Sequence, residues 1–186
     1  MLQPPNAPLT SSSTWIALQC HSASSAGAVT SIEVRHHRIA SLLTLQYRIT
    51  GNISSLRIPP AQVATRCDEL WRHTCMEAFF APCGSAAYCE YNFSPSSYWA
   101  AYQFSGYREG MGPLSCQSPV IEVSNESRQL LLSARVNLPV TFATGSLQMG
   151  WCAVIEDFEG ACSYWALQHD TVHPDFHRSE NWIQCV

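Results

Sequence analysis

Two stretches of the chain concentrate side chains able to do chemistry. Residues 66–111 contain RCDELWRHTCMEAFFAP and YCEYNFSPSSYWAAYQFSGYREGM, and residues 163–182 read SYWALQHDTVHPDFHRSENW. Both interleave carboxylates, amides, Arg or His with large aromatic rings. A sugar-like or flat polar ligand requires that mixture, because its faces need stacking and its edges need hydrogen bonds. Period two over residues 74–80 places Cys75, Glu77 and Phe79 on one face. In residues 88–94 it places Glu90 and Asn92 on one face and Tyr91 and Phe93 on the other. Paired as a hairpin across residues 81–87, the two segments would bring Glu77, Glu90 and Asn92 together on one concave sheet surface. The competing reading is a polar face turned to solvent.

Arg108 stands in a turn ending at Gly110, where a guanidinium suits an anion or hydroxyl anchor, or equally a structural salt bridge. Trp99, Tyr102, Phe104 and Tyr107 read first as packing. Residues 169–177 offer five side chains of metal-ligand type: His169, Asp170, His173, Asp175 and His177. Pro174 excludes a regular helix that would stack the three histidines on one face. A loop can gather them around Zn²⁺, or they can bond to backbone and to Arg groups such as Arg66 and Arg72. Neither HExxH nor GxSxG occurs.

The elements that must position these groups are short strands. Residues 43–49 alternate, with Leu43, Leu45, Tyr47 and Ile49 on one face, and residues 129–137 do the same with Leu130, Leu132, Ala134 and Val136. Further strands are expected over residues 15–20, 32–39, 74–80, 88–94, 99–107, 120–123, 149–156, 162–167 and 182–186. Gly, Pro, Ser and Asn punctuate the gaps. A turn of helix is expected near residues 67–71. Many short strands without long helical patterns predict an all-β fold, an antiparallel β-sandwich. Residues 1–12 read as a loose arm and 13–186 as a single domain.

Composition narrows the function. The 186 residues carry a net charge of -4, which gives no basic footprint for nucleic acid. All ten basic residues are Arg, so Schiff-base chemistry and a P-loop lysine are excluded. Nine cysteines without CxxC or zinc-ribbon spacing read mostly as reduced, buried small hydrophobes. With no signal-peptide pattern and no membrane-length apolar run, the expectation is a soluble cytoplasmic protein. Oligomeric state is not legible.

The order LWRHTCMEAFFAP, YCEYNFSPSSYWAAY and YREGM, followed by AVIED, SYWALQH and HPDFH, resembles bacterial DOMON-like proteins similar to family 9 carbohydrate-binding modules. The resemblance covers about residues 66–186. It implies a β-sandwich that grips a terminal sugar between aromatic rings and meets its hydroxyls with carboxylate, amide and Arg groups. Carried over by motif, Glu77 matches the family's acidic strand residue, and Glu90 and Asn92 fall on the next strand. Trp71 becomes one stacking ring. His173-Pro174-Asp175 stands where a second aromatic would be, with Trp165 or Trp99 as substitutes.

The expected function is therefore a non-catalytic module for a saccharide or similar polyhydroxylated molecule, needing no cofactor. Trp71, Glu77, Glu90, Asn92, Arg108, Trp165, His169, Asp175 and His177 are the candidate ligand contacts. Beside a purely structural interaction module, two alternatives stay open. One is a haem-binding DOMON domain using Met76, Met111 or His169. The other is a metal-dependent enzyme centred on His169, His173, Asp175 and His177.

Overall fold

Period-two sequence becomes eleven antiparallel strands in the computed structural model, which describes residues 10–143, 145–170 and 172–183. They are β1 (Thr10–Cys20), β2 (Val29–Ile39), β3 (Leu42–Gly51), β4 (Cys75–Pro82), β5 (Tyr88–Phe93) and β6 (Trp99–Phe104). After these come β7 (Gly112–Pro113), β8 (Val120–Asn125), β9 (Gln129–Asn137), β10 (Leu147–Glu156) and β11 (Cys162–Ala166). The order across the curled sheet is β7-β6-β5-β4-β10-β11-β1-β2-β3-β9-β8. Strand β1 joins the two layers. Most of it pairs with β2, while Gln19 and Cys20 pair with Ala166 and Trp165 of β11.

Alternation decides which side chains meet between the layers. Leu43, Leu45, Tyr47 and Ile49 of β3 lie opposite Val136, Ala134, Leu132 and Leu130 of β9, and all eight are buried. Facing them from the other layer are Met76, Ala78 and Phe80 of β4, Tyr91 and Phe93 of β5, and Trp151 of β10. Tyr47 crosses the core and donates its hydroxyl to the Glu77 carbonyl at 2.7 Å. That bond ties the middle of β4 to the opposite layer.

Unlike β3 and β9, strands β4 and β5 are buried on both faces. Their outer face contributes to a second apolar cluster of Phe79, Ala81, Tyr88, Tyr102, Phe104 and Trp182, against which Leu70, Trp71 and Phe176 pack. Loops, not solvent, therefore cover this side. Gly150 permits a close approach: a Cβ there would sit 2.6 Å from Cδ1 of Trp182. The Trp182 ring stacks on Phe79 at 5.5 Å and donates its indole N–H to the Phe176 carbonyl at 3.0 Å. The Gly150→Ala variant is expected to lose about 2 kcal/mol by overpacking, measured by denaturant unfolding. Unchanged stability would show that the Trp182 cover is loose.

The strands expected from sequence are present, with boundaries shifted by a few residues. Of the segment expected at 182–186, Ile183 forms a bridge with Met149, and residues 184–186 lie outside the described residues. Strand β1 begins at Thr10, within the segment read as an arm, and residues 1–9 are likewise outside the description. The turn expected near 67–71 is a 3-10 turn at Leu70–Arg72. Strand β7 and a single helical turn at Val140–Ala143 have no counterpart in the sequence pattern. Among the described residues seven cysteines are free and Cys83 is disulfide-bonded.

Candidate functional site

A cavity of about 300 Å³ opens on the loop-covered outer face. Its floor holds Glu77 of β4, Glu90 of β5 and Val154 of β10. Phe104 of β6 and Tyr164 of β11 add aromatic surface, and Trp71 enters from the Leu70–Arg72 turn. Glu69, in the left-handed region at φ 61°, begins that turn, and the Trp71 ring meets Tyr102 edge-on at 6.0 Å. Arg108 and Met111 stand at one side, and the loop of Pro174, Phe176 and His177 closes another.

The two carboxyls are held by strand register. Glu77 lies opposite Asn92 and Phe79 lies opposite Glu90, so Glu77 and Glu90 are diagonal neighbours on one face. Each is only 4% exposed. The Asn92 amide donates to Glu90 Oε1 at 2.5 Å, and Glu77 Oε1 has no hydrogen-bond partner. Burial, then the Glu90 charge, pushes the Glu77 carboxyl well above the ordinary carboxylate range, with Arg108 opposing. Burial raises Glu90 to about 7 against the pull of the Asn92 hydrogen bond and Arg108. The pair therefore retains a proton near neutral pH.

Beside the floor, charge is already matched. Arg108, at φ 55°, donates its guanidinium to Asp175 at 2.8 Å, and Tyr107 donates its hydroxyl to the same carboxylate. The Arg108 backbone N–H donates to the Tyr88 hydroxyl at 3.2 Å. Hydrogen bonds from Tyr107 and Arg108 outweigh burial and hold Asp175 below its usual range. His177 Nδ1 meets the Tyr88 hydroxyl at 2.7 Å, and its Nε2 lies 3.8 Å from Glu90 Oε2. Burial and the Arg108 charge push His177 down to about 4, so its ring is neutral near pH 7 and that contact is not an ion pair.

Solved structures share this layered arrangement. One is a protein from Bacteroides uniformis described in provisional terms as carbohydrate-binding, with a TM-score of 0.62 over 82% of this chain and 76% of that one, at 13% identity. Another is a family 9 carbohydrate-binding module from Caldicellulosiruptor kristjanssonii in complex with cellotriose, with a TM-score of 0.50 over 82% of this chain and 71% of that one, at 10% identity. The fold is that of the family 9 modules. No family model matches the sequence, and no curated protein is significantly similar to it. The likeness to family 9 is therefore one of fold, and the pocket chemistry must be read from this chain.

Within this family 9 fold, Trp71, Glu77, Glu90, Arg108 and His177 line one cavity. Asp175 stands behind Arg108. Asn92 is fully buried and reaches Glu90 and the Cys75 thiol, so it orients the floor rather than lining it. Trp165 does not reach the pocket: period two turns it into the interlayer core, where its indole N–H donates to Ser163 Oγ at 2.9 Å. Trp99 is in the same core. Their place is taken by Tyr164, the neighbour of Trp165 on the opposite face, and by Phe176.

His169 also lies apart, its Nε2 meeting the Gln19 carbonyl at 3.0 Å and its ring packing edge-on against His21 at 4.7 Å. The Arg partners of the 169–177 loop are Arg108 and Arg178 rather than Arg66 and Arg72. Arg66 instead donates to the Leu114 and Ala101 carbonyls, and Arg72 pairs with Glu69. Among the described residues no group of three or more His, Cys, Asp or Glu side chains is placed to hold a metal ion. Of the three haem-ligand candidates, Met111 lines the pocket, Met76 is in the interlayer core and His169 is tied to β1.

Proposed function

We propose that this chain is a saccharide-binding module that takes a sugar ring between Trp71 and the Glu77–Glu90 floor. The observation that carries the reading is the pair of buried carboxyls, Glu77 and Glu90, on the floor of a cavity that also presents a half-buried tryptophan. A carboxyl lining a cavity accepts strongly from sugar hydroxyls, and a hydrogen bond to a charged group is worth about 1.5–3 kcal/mol. The cellotriose complex of the family 9 module supports the ligand class. At about 300 Å³ the cavity is at the small end of ligand pockets, so it takes one terminal ring rather than the middle of a chain.

In this reading Trp71 stacks on the ring, Glu77 and Glu90 meet its hydroxyls, and Asn92 fixes the Glu90 carboxylate. Arg108, braced by Asp175, and His177 close one side. Binding needs no cofactor and no bond breaking. Titration calorimetry with glucose and cellobiose should give heat that the Trp71→Ala variant loses, with affinity falling about 30-fold through lost stacking and apolar burial. The half-buried position of Trp71 predicts little change in the unfolding temperature of that variant. Absence of heat with any mono- or disaccharide at millimolar concentration, or an unchanged affinity in the variant, contradicts the proposal.

A further inference from the structure

The floor of the pocket carries an excess of acid that no neighbour matches. Glu77 Oε1 has no hydrogen-bond partner, although the residue is 4% exposed and faces the cavity. Glu90 Oε1 is taken by the Asn92 amide. The sequence contains no Lys, and the one guanidinium lining the cavity, Arg108, is bound to Asp175 at 2.8 Å. His177 is neutral near pH 7 and uses Nδ1 on the Tyr88 hydroxyl. Two buried carboxyls with no cation of their own either share a proton or receive a cation from outside.

The geometry points to an amine-bearing saccharide, an amino sugar with a free ammonium group, as the preferred ligand, its ammonium received by Glu77 and Glu90. This rests on the saccharide reading and sharpens it. An ammonium group offers three donors, enough to meet both carboxyls on the cavity floor. A neutral hexose leaves the shared proton in place. An ammonium group displaces it, so the carboxyl pair loses that proton to buffer as the charged hydrogen bond forms. N-acetylation removes the charge, and a uronic acid adds a third carboxylate beside the floor.

The other ionisable groups near Glu77 do not take up the released proton. They are Cys75 on β4, Cys152 on β10, Tyr164 on β11 and Tyr47 from the opposite layer, with Arg108 from the turn after β6. Burial raises the two thiols and the two phenols above their ordinary values, so they are already protonated near neutral pH.

Titration calorimetry at about pH 6 with glucosamine, glucose, N-acetylglucosamine and glucuronate tests the proposal, since a charge-assisted hydrogen bond in a buried site adds about 10-fold or more in affinity. Glucosamine should bind at least that much more tightly than glucose, N-acetylglucosamine no better than glucose, and glucuronate worst. Repeating the glucosamine titration in two buffers of different ionisation enthalpy should show proton release, a readout that requires no variant. The Glu77→Gln variant should lose the preference for glucosamine. Glucose binding as tightly as glucosamine, without proton release, overturns the amino-sugar inference and leaves the saccharide reading standing. If none of the four sugars binds, the saccharide reading fails and this inference fails with it.

Discussion

The Glu77→Leu variant is expected to unfold at a higher temperature than the parent protein and to bind no saccharide. Glu77 sits in the middle of a strand buried on both faces, opposite Cys152 on one neighbouring strand and Asn92 on the other. One of its oxygens is unpaired, and burial raises the cost of its charge. Leucine fills a similar volume without an unpaired polar atom. The gain should be about 1–3 kcal/mol, or roughly 2–10 °C for a chain of this length. Scanning calorimetry of the two proteins without ligand reads it directly. A residue whose removal stabilises the fold yet destroys binding is held in place by function. A variant of lower stability would instead mark the carboxyl as a structural brace, and the binding site would have to be sought elsewhere.

The second large effect is on the pH dependence of stability. Glu90 rises from 4.5 to about 7 in the folded protein, and burial raises Glu77 as well. A raised folded pKa contributes stability that is complete below the unfolded value and is lost as pH rises through the folded one. His177 works in the opposite sense. Its fall from 6.5 to about 4 contributes stability that is present above the unfolded value and lost as pH falls toward the folded one. The lowered values of His36 and His169 act in the same direction as His177.

For Glu90 and His177 each shift corresponds to about 3 kcal/mol, so between about pH 4.5 and 6.5 the two nearly offset each other. Above about 6.5 the histidines are neutral in both states, and only the carboxyl pair still titrates. Glu77 adds a second falling contribution, so the unfolding temperature of the free protein should fall with pH more steeply above about pH 6.5, where the histidines no longer oppose it, than below. In the Glu77→Gln, Glu90→Gln double variant it should rise to about pH 6.5 and then stay level. Parallel profiles for the two proteins would contradict the charge assignment of the floor.

Much of this floor is legible in the sequence because a strand has only two faces. Period two alone separates Glu77 from Met76 and Ala78, and Glu90 and Asn92 from Tyr91 and Phe93, and the observed register keeps the three polar residues together. Periodicity does not say what covers the face they share. An open polar surface and a loop-covered pocket give the same alternation. The cover comes from Trp71, Phe176 and Trp182, whose contacts with this face are long-range.

The same limit explains Trp165. In SYWAL two aromatics are adjacent, and only the pairing of β11 with β10 shows that Tyr164 takes the pocket side and Trp165 the core. The 169–177 loop was ambiguous for a different reason. Its His and Asp side chains suit several partners, and the fold scatters them to Gln19, Arg108, Tyr88 and Arg178 instead of gathering them.

The proposed binding mode stacks a sugar ring on Trp71 above the Glu77–Glu90 floor. A ¹H–¹⁵N correlation spectrum recorded while glucosamine or cellobiose is added tests it most directly, because each of the six tryptophans contributes its own indole signal. The predicted result is a large, saturable shift of the Trp71 indole and of the Glu77 and Glu90 amides, with the indoles of Trp99, Trp151 and Trp165 in the interlayer core unmoved. Saturable shifts confined to another surface, or none with either sugar, would contradict the account.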